Sequence, residues 1–116
     1  MLRHVRNAAA AWAAAALCAL ALASAATADA LAASATHTVV MEGVAFAPSV
    51  LTVAKGDSIV WVNKDPFPHT AVSKDAGLDS KEIGAGASWK FVAATKGEFP
   101  YICTLHPTMK GVLRVQ

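Results

Sequence analysis

From residue 37 onward, short runs of Val, Ile, Thr and aromatic residues are punctuated by Gly, Pro, Asp and Lys. Such runs predict β-strands, here near Thr38–Glu42, Val50–Ala54, Ser58–Asn63, Thr70–Ser73, Ser88–Val92, Phe99–Cys103 and Gly111–Val115. A period of two puts Ile59, Trp61 and Asn63 on one face of their strand and Val60 and Val62 on the other. Phe99, Tyr101 and Cys103 share a face in the same way, which sets the thiol on the side of two aromatic rings. Trp61, Trp89 and Phe91 are expected in the core, as large apolar side chains usually are. Lys55-Gly56-Asp57 reads as a tight turn. Gly84-Ala85-Gly86 reads as a second turn or loop, without the strand-to-helix context of a phosphate fingerprint. Several short strands with regular turns predict an all-β domain folded as a two-sheet sandwich.

The first 35 residues follow another pattern. Arg3, His4 and Arg6 precede an almost wholly apolar stretch from Ala8 to Ala28, and Ala-x-Ala choices end at Ala25, Ala30 or Ala35. That is the layout of a secretory signal peptide, with cleavage after one of those three residues. Residues 36–116 then form the single mature domain, expected to be exported to the periplasm, monomeric, and without stable membrane insertion after processing. The 55% apolar content and the mean hydropathy of +0.44 owe much to the leader. Beyond it, eight Lys and Arg against seven Asp and Glu leave a charge of about +1, with no block of one sign. Nucleic-acid binding, which needs a basic patch, is not indicated.

Processing also removes Cys18 and leaves Cys103 as the one thiol of an exported domain, a situation that calls for an explanation. Cys103 opens the segment Cys103-Thr104-Leu105-His106-Pro107-Thr108-Met109, and His69 lies upstream between Pro68 and Thr70. A thiolate, two imidazoles and a thioether suit copper in a His₂Cys site with a weak axial Met. Soft sulfur donors favour Cu(I), while imidazoles also serve Cu(II). Steps of three from Cys103 to His106 to Met109 fit one helix face, but Pro107 and Gly111 favour a loop between strands. Structural zinc wants four strong Cys or His ligands; only Cys103, His69 and His106 are well placed, and His37 lies far upstream. An inert buried Cys and a nucleophilic Cys103–His106 pair are the remaining readings. The second lacks an evident oxyanion loop or substrate cleft.

On Lys55-Gly56-Asp57, Trp61-Val62-Asn63, Phe67-Pro68-His69, the stretch from Gly97 to Cys103, and the Cys-x-x-His-x-x-Met loop, the chain resembles the small type I blue copper proteins, the cupredoxins. The short spacer before Met109 is similar to the amicyanin branch, with plastocyanins and pseudoazurins further off. The resemblance spans roughly Val39 to Gln116. It implies a Greek-key β-sandwich of seven to eight strands. It also implies one mononuclear copper bound through Nδ1 of His69 and His106, the Cys103 thiolate and, weakly, Met109. His106 would present its outer ring edge as the electron port to redox partner proteins, which would dock transiently near His106, Phe67, Pro68 and Pro107. One departure stands out: family members usually carry Asn after the first His ligand, where it tethers the two ligand loops, and here that residue is Thr70. Its hydroxyl can donate and accept, towards Thr104. The expected function is a periplasmic one-electron carrier, not an enzyme; the alternative is a copper-delivery protein using the same ligands.

Overall fold

Buried and exposed side chains alternate along nearly every strand of the computed structural model, which describes residues 33–116. The strands are β1 (Thr36–Met41), β2 (Phe46–Ala47), β3 (Val50–Val53), β4 (Ser58–Asn63), β5 (Val72–Ser73), β6 (Leu78–Asp79), β7 (Ser88–Val92), β8 (Gly97–Ile102) and β9 (Lys110–Val115). Among the described residues nine strands thus stand where seven to eight were expected. The additions, β2 and β6, are two residues long, too short to show an alternation. β5 is shorter than the expected Thr70–Ser73 because the N–H groups of Thr70 and Ala71 go to side chains, Cys103 Sγ and Ser80 Oγ, instead of to a ladder; His69, just before them, bridges to Ile83. The leader expected over residues 1–35 lies outside the described residues except for Ala33, Ser34 and Ala35. Among the described residues no helix is long and apolar enough to cross a membrane.

The strands form two sheets, ordered β2-β1-β4-β7 and β3-β9-β8-β5-β6. Pairs β1/β4 and β3/β9 are parallel and the rest antiparallel. The inner faces meet in one core that includes Val39, Met41, Ile59 and Trp61 from the first sheet and Phe99, Tyr101, Leu113 and Val115 from the second. The faces assigned to Ile59, Trp61 and Asn63, and to Phe99, Tyr101 and Cys103, are the buried ones. Trp89 and Phe91 correct the expectation of a full core position: both are only half-buried. β7 is an edge strand, so one flank of each ring meets solvent, while Trp89 still packs against Trp61 with ring centroids 5.7 Å apart.

Two connections matter for the site. The β4–β5 segment crosses from one sheet to the other and carries His69. The β8–β9 hairpin carries Cys103 to Met109, and its ladder runs to the pair Ile102–Lys110. Both reach the same end of the sandwich. At the opposite end the turn Lys55-Gly56-Asp57 gathers both borders of the domain. The N–H of Ala35 donates to Asp57 Oδ1 (2.9 Å), the N–H of Ser58 to the Ala35 carbonyl (2.9 Å), and the N–H of Lys55 to the Gln116 carbonyl (2.9 Å). Asp57 Oδ2 also pairs with His37 Nε2 at 2.9 Å. His37 is thereby placed away from His69 and His106.

Candidate metal centre

The hairpin loop is closed by its own backbone. The N–H of Cys103 donates to the Met109 carbonyl (3.1 Å), and the N–H of Met109 to the His106 carbonyl (2.9 Å). Pro107 denies a donor to any helical continuation, so the segment folds back and brings Cys103, His106 and Met109 to one spot. Cys103 and Met109 are buried, and His106 is half-buried.

The second loop is braced by Asn63, a fully buried amide at the end of β4. Its Nδ2 donates to the carbonyls of Phe67 and Ile83 (2.9 Å each), and its Oδ1 accepts the N–H of Asp65 (2.9 Å). With its backbone also paired to Ile83, His69 is held with no exposed surface. Nδ1 faces the thiol. Nε2 lies 2.7 Å from Asp65 Oδ2, and because a carboxylate can only accept, the proton sits on Nε2. Asp65 also accepts the N–H groups of Gly43 (2.8 Å) and Val44 (3.0 Å). The His69 bond foremost, then the Val44 amide, hold the Asp65 carboxyl below the usual carboxylate range despite its burial.

Cys103 Sγ lies 3.7 Å from His69 Nδ1 and 3.9 Å from His106 Nδ1. Donors bonded to one first-row ion at about 2.0 Å (N) and 2.3 Å (S), set 120° apart, are about 3.7 Å from each other. The donor spacing therefore fits a single ion, and the thiolate, imidazole and thioether chemistry fits copper. Burial alone pushes the Cys103 thiol up. The Thr70 amide, whose N–H donates to Sγ at 3.3 Å, then the His106 ring and the His106 backbone amide, oppose burial, and the thiol comes down from 9.0 to about 6. A thiol so placed is ionised and ready to bind metal at neutral pH.

Thr70 fills the tether position. Its Oγ1 accepts the N–H of Thr104 (2.8 Å) and lies 2.8 Å from the Thr104 hydroxyl. One side chain thus joins the two loops, as its hydroxyl chemistry led us to expect. Phe67 packs against both imidazoles, edge-on to His69 with centroids 5.2 Å apart and tilted against His106 at 5.4 Å. Phe67 and Leu105 are both exposed beside His106. Sequence reasoning missed Asp65 and Asn63. The signal for Asp65 was its spacing of four before His69, in a loop where an acid is ordinarily just a solvated residue.

His69, Cys103, His106 and Met109 are thus positioned for a single copper site. The chain is 33% identical over 86 residues to plastocyanin A/B of Petroselinum crispum, covering 63% of this chain and 89% of the relative. It is 34% identical over 85 residues to plastocyanin of Daucus carota, covering 62% and 88%. Among solved structures, an amicyanin variant in its Cu(I) form superposes with a TM-score of 0.65 at 23% identity, covering 70% of this chain and 82% of that one, a likeness of fold. A copper-containing nitrite reductase from Thermus scotoductus gives the same score at 33% identity, but the alignment spans just 22% of that larger chain. The family model described as Cupredoxin-like domain matches residues 12–115. With its two-sheet sandwich and its convergent His, Cys, His and Met, the chain belongs to the cupredoxin-like family.

Proposed function

We propose that this protein is an exported one-electron carrier, working in the periplasm as a monomer, that cycles one type I copper between Cu(I) and Cu(II). The observation that carries the reading is the convergence of two imidazole Nδ1 atoms on one buried thiol, at 3.7 and 3.9 Å. In this reading His69 and His106 bind through Nδ1, Cys103 through its thiolate and Met109 through its thioether, and the bound copper supplies the redox couple. The protein's part is to keep the donors in place. Asn63 and Asp65 hold His69, the Thr70–Thr104 tether locks the loops together, and the backbone bonds of the hairpin fix the other three donors. Donors that do not rearrange keep the reorganisation cost of electron transfer small. Plastocyanin relatives support a carrier rather than an enzyme.

The test is to express the domain, add Cu(II), and record visible and EPR spectra. We expect an intense blue charge-transfer band that disappears in Cys103→Ala; no band, or a band indifferent to that change, ends the reading. We further propose that partners dock transiently on the exposed surface formed by Phe67, Pro68, Leu105 and Pro107 around His106. Phe67→Asp then slows electron transfer while leaving the copper spectrum alone, and an unaltered rate speaks against this surface. The copper-delivery alternative would use exposed Met or His tracts. Met41 offers no support for it, being fully buried in the core. For the leader, we propose cleavage after Ala25 or Ala30, which keeps Ala35 and its bonds to Asp57 and Ser58; N-terminal sequencing of the exported protein decides this.

A further inference from the structure

We infer that Asp65 is a positioning residue of this centre: its carboxylate fixes His69 as the Nε2–H tautomer, and its negative charge biases the site towards the higher-charged ion, Cu(II). The inference rests on the copper reading for its redox half; the tautomer half needs only a bound metal.

Three observations converge on it. His69 has no exposed surface, so no water competes for Nε2, and the 2.7 Å contact to Asp65 Oδ2 is its outer hydrogen bond. The carboxylate is itself immobilised: Oδ1 takes the Gly43 N–H, Oδ2 takes the Val44 N–H, and the Asp65 N–H is donated to Asn63 Oδ1. Those two amides belong to a turn closed by the Glu42 N–H on the Ala45 carbonyl, in which Val44 has φ = +57°. A β-branched residue rarely adopts that conformation. The turn is therefore shaped to present two donors to Asp65, which leaves the carboxylate pointing at His69. His106 differs. It is half-exposed, and among the described residues no carboxylate pairs with it.

The chemistry is that of an outer-shell partner. A carboxylate accepting from the far nitrogen of a metal-bound imidazole orients the ring and makes it a stronger donor. A fixed negative charge in a buried site stabilises a doubly charged ion more than a singly charged one. The result is a reduction potential lower than the four donors alone would set, with the two histidines unequal: one locked from behind, the other free at its outer edge.

Two variants separate this role from mere bracing of the turn. Asp65→Asn removes the charge in nearly the same volume. Val44→Gly relaxes the positive-φ position and leaves the carboxylate on His69. We expect Asp65→Asn to raise the potential by at least about 59 mV, a tenfold change in the ratio of Cu(II) to Cu(I) association constants. Zn(II) affinity should fall by about 10- to 100-fold. In Val44→Gly both quantities should stay within about twofold of wild type. A potential unmoved in Asp65→Asn, or equal shifts in both variants, overturns the inference.

NMR of the wild-type Zn(II) form supplies an arm that needs no variant. The Nε2 proton of His69 should appear hydrogen-bonded and exchange slowly, whereas a His69 ring proton exchanging as fast as that of His106 overturns the assignment. Failure of the blue band in wild type would end the copper reading while leaving the Zn(II) and NMR arms to judge Asp65 alone.

Discussion

Gly111→Ala should be among the most damaging single-methyl additions in this domain. Gly111 stands opposite Tyr101 in the β8–β9 ladder. A Cβ built there would lie 2.4 Å from Tyr101 Cζ, 2.5 Å from its Oη and 2.8 Å from Cε1. Carbon atoms rest about 3.5–4.0 Å apart, so the ring must withdraw by roughly 1 Å. It has nowhere to go: Tyr101 is buried, edge-on to Phe46 at 4.7 Å and to Trp61 at 5.6 Å between centroids. Overpacking costs about 1–3 kcal/mol, and a displaced ring in a closed core belongs at the upper end. The alanine returns about 0.4–1 kcal/mol through the unfolded chain, which leaves a net loss of about 2 kcal/mol. For a domain of this size that lowers Tm by roughly 8–16 °C. Urea melts of the metal-free protein measure it, alone and in a Tyr101→Ala background where the obstacle is gone. The cycle should show a coupling of about 2 kcal/mol. A cost below about 0.5 kcal/mol, the size of an ordinary surface change, or an equal cost in both backgrounds, refutes the reasoning.

Other expectations follow from single groups. The Tyr101 hydroxyl is buried and has no hydrogen-bond partner, so Tyr101→Phe should be neutral or stabilising by up to about 1 kcal/mol; a clear loss in the urea melt would mean the hydroxyl is paired after all. Thr70→Ala removes the acceptor of the Thr104 N–H and should cost about 1–2 kcal/mol while the thiolate ligation band persists, with Thr70→Ser restoring most of the loss. In the metal-free protein, ultraviolet thiolate absorbance of Cys103 should fall away around pH 6. The folded pKa lies below the unfolded one, so the stabilisation is complete above about pH 9 and is lost as pH falls through about 6. Cys103→Ser should flatten that dependence, and an unchanged slope would locate the effect elsewhere.

What the sequence could disclose depended on how local each signal was. Strands of four or more residues announced themselves by alternation, and the faces of β4 and β8 followed from it. The three donors between Cys103 and Met109 lie on one short loop and needed only chemical recognition. His69 stands apart from them in the chain; it entered the donor set as one further histidine upstream, and the resemblance of Phe67-Pro68-His69 to a family pattern added to that reading. Asp65 and Asn63 act through contacts created by the fold; the signals they do carry, an acid four residues before His69 and an amide on the apolar face of β4, do not reveal those partners. Trp89 and Phe91 were misjudged for a related reason, since composition reveals a large apolar side chain but not that its strand lies at the edge of a sheet.

The gathering of Ala35 and Gln116 at the Lys55–Asp57 turn has a practical meaning for how the molecule can be handled. β4 runs six residues from that turn towards the His69 loop, which separates the two poles by about 20 Å at the usual strand rise. A purification tag or an electrode anchor attached at Ala35 or Gln116 is therefore attached at the pole away from His106. A protein tethered through either border would keep its imidazole edge facing outward, so immobilised voltammetry and partner exchange could be carried out on the same oriented layer.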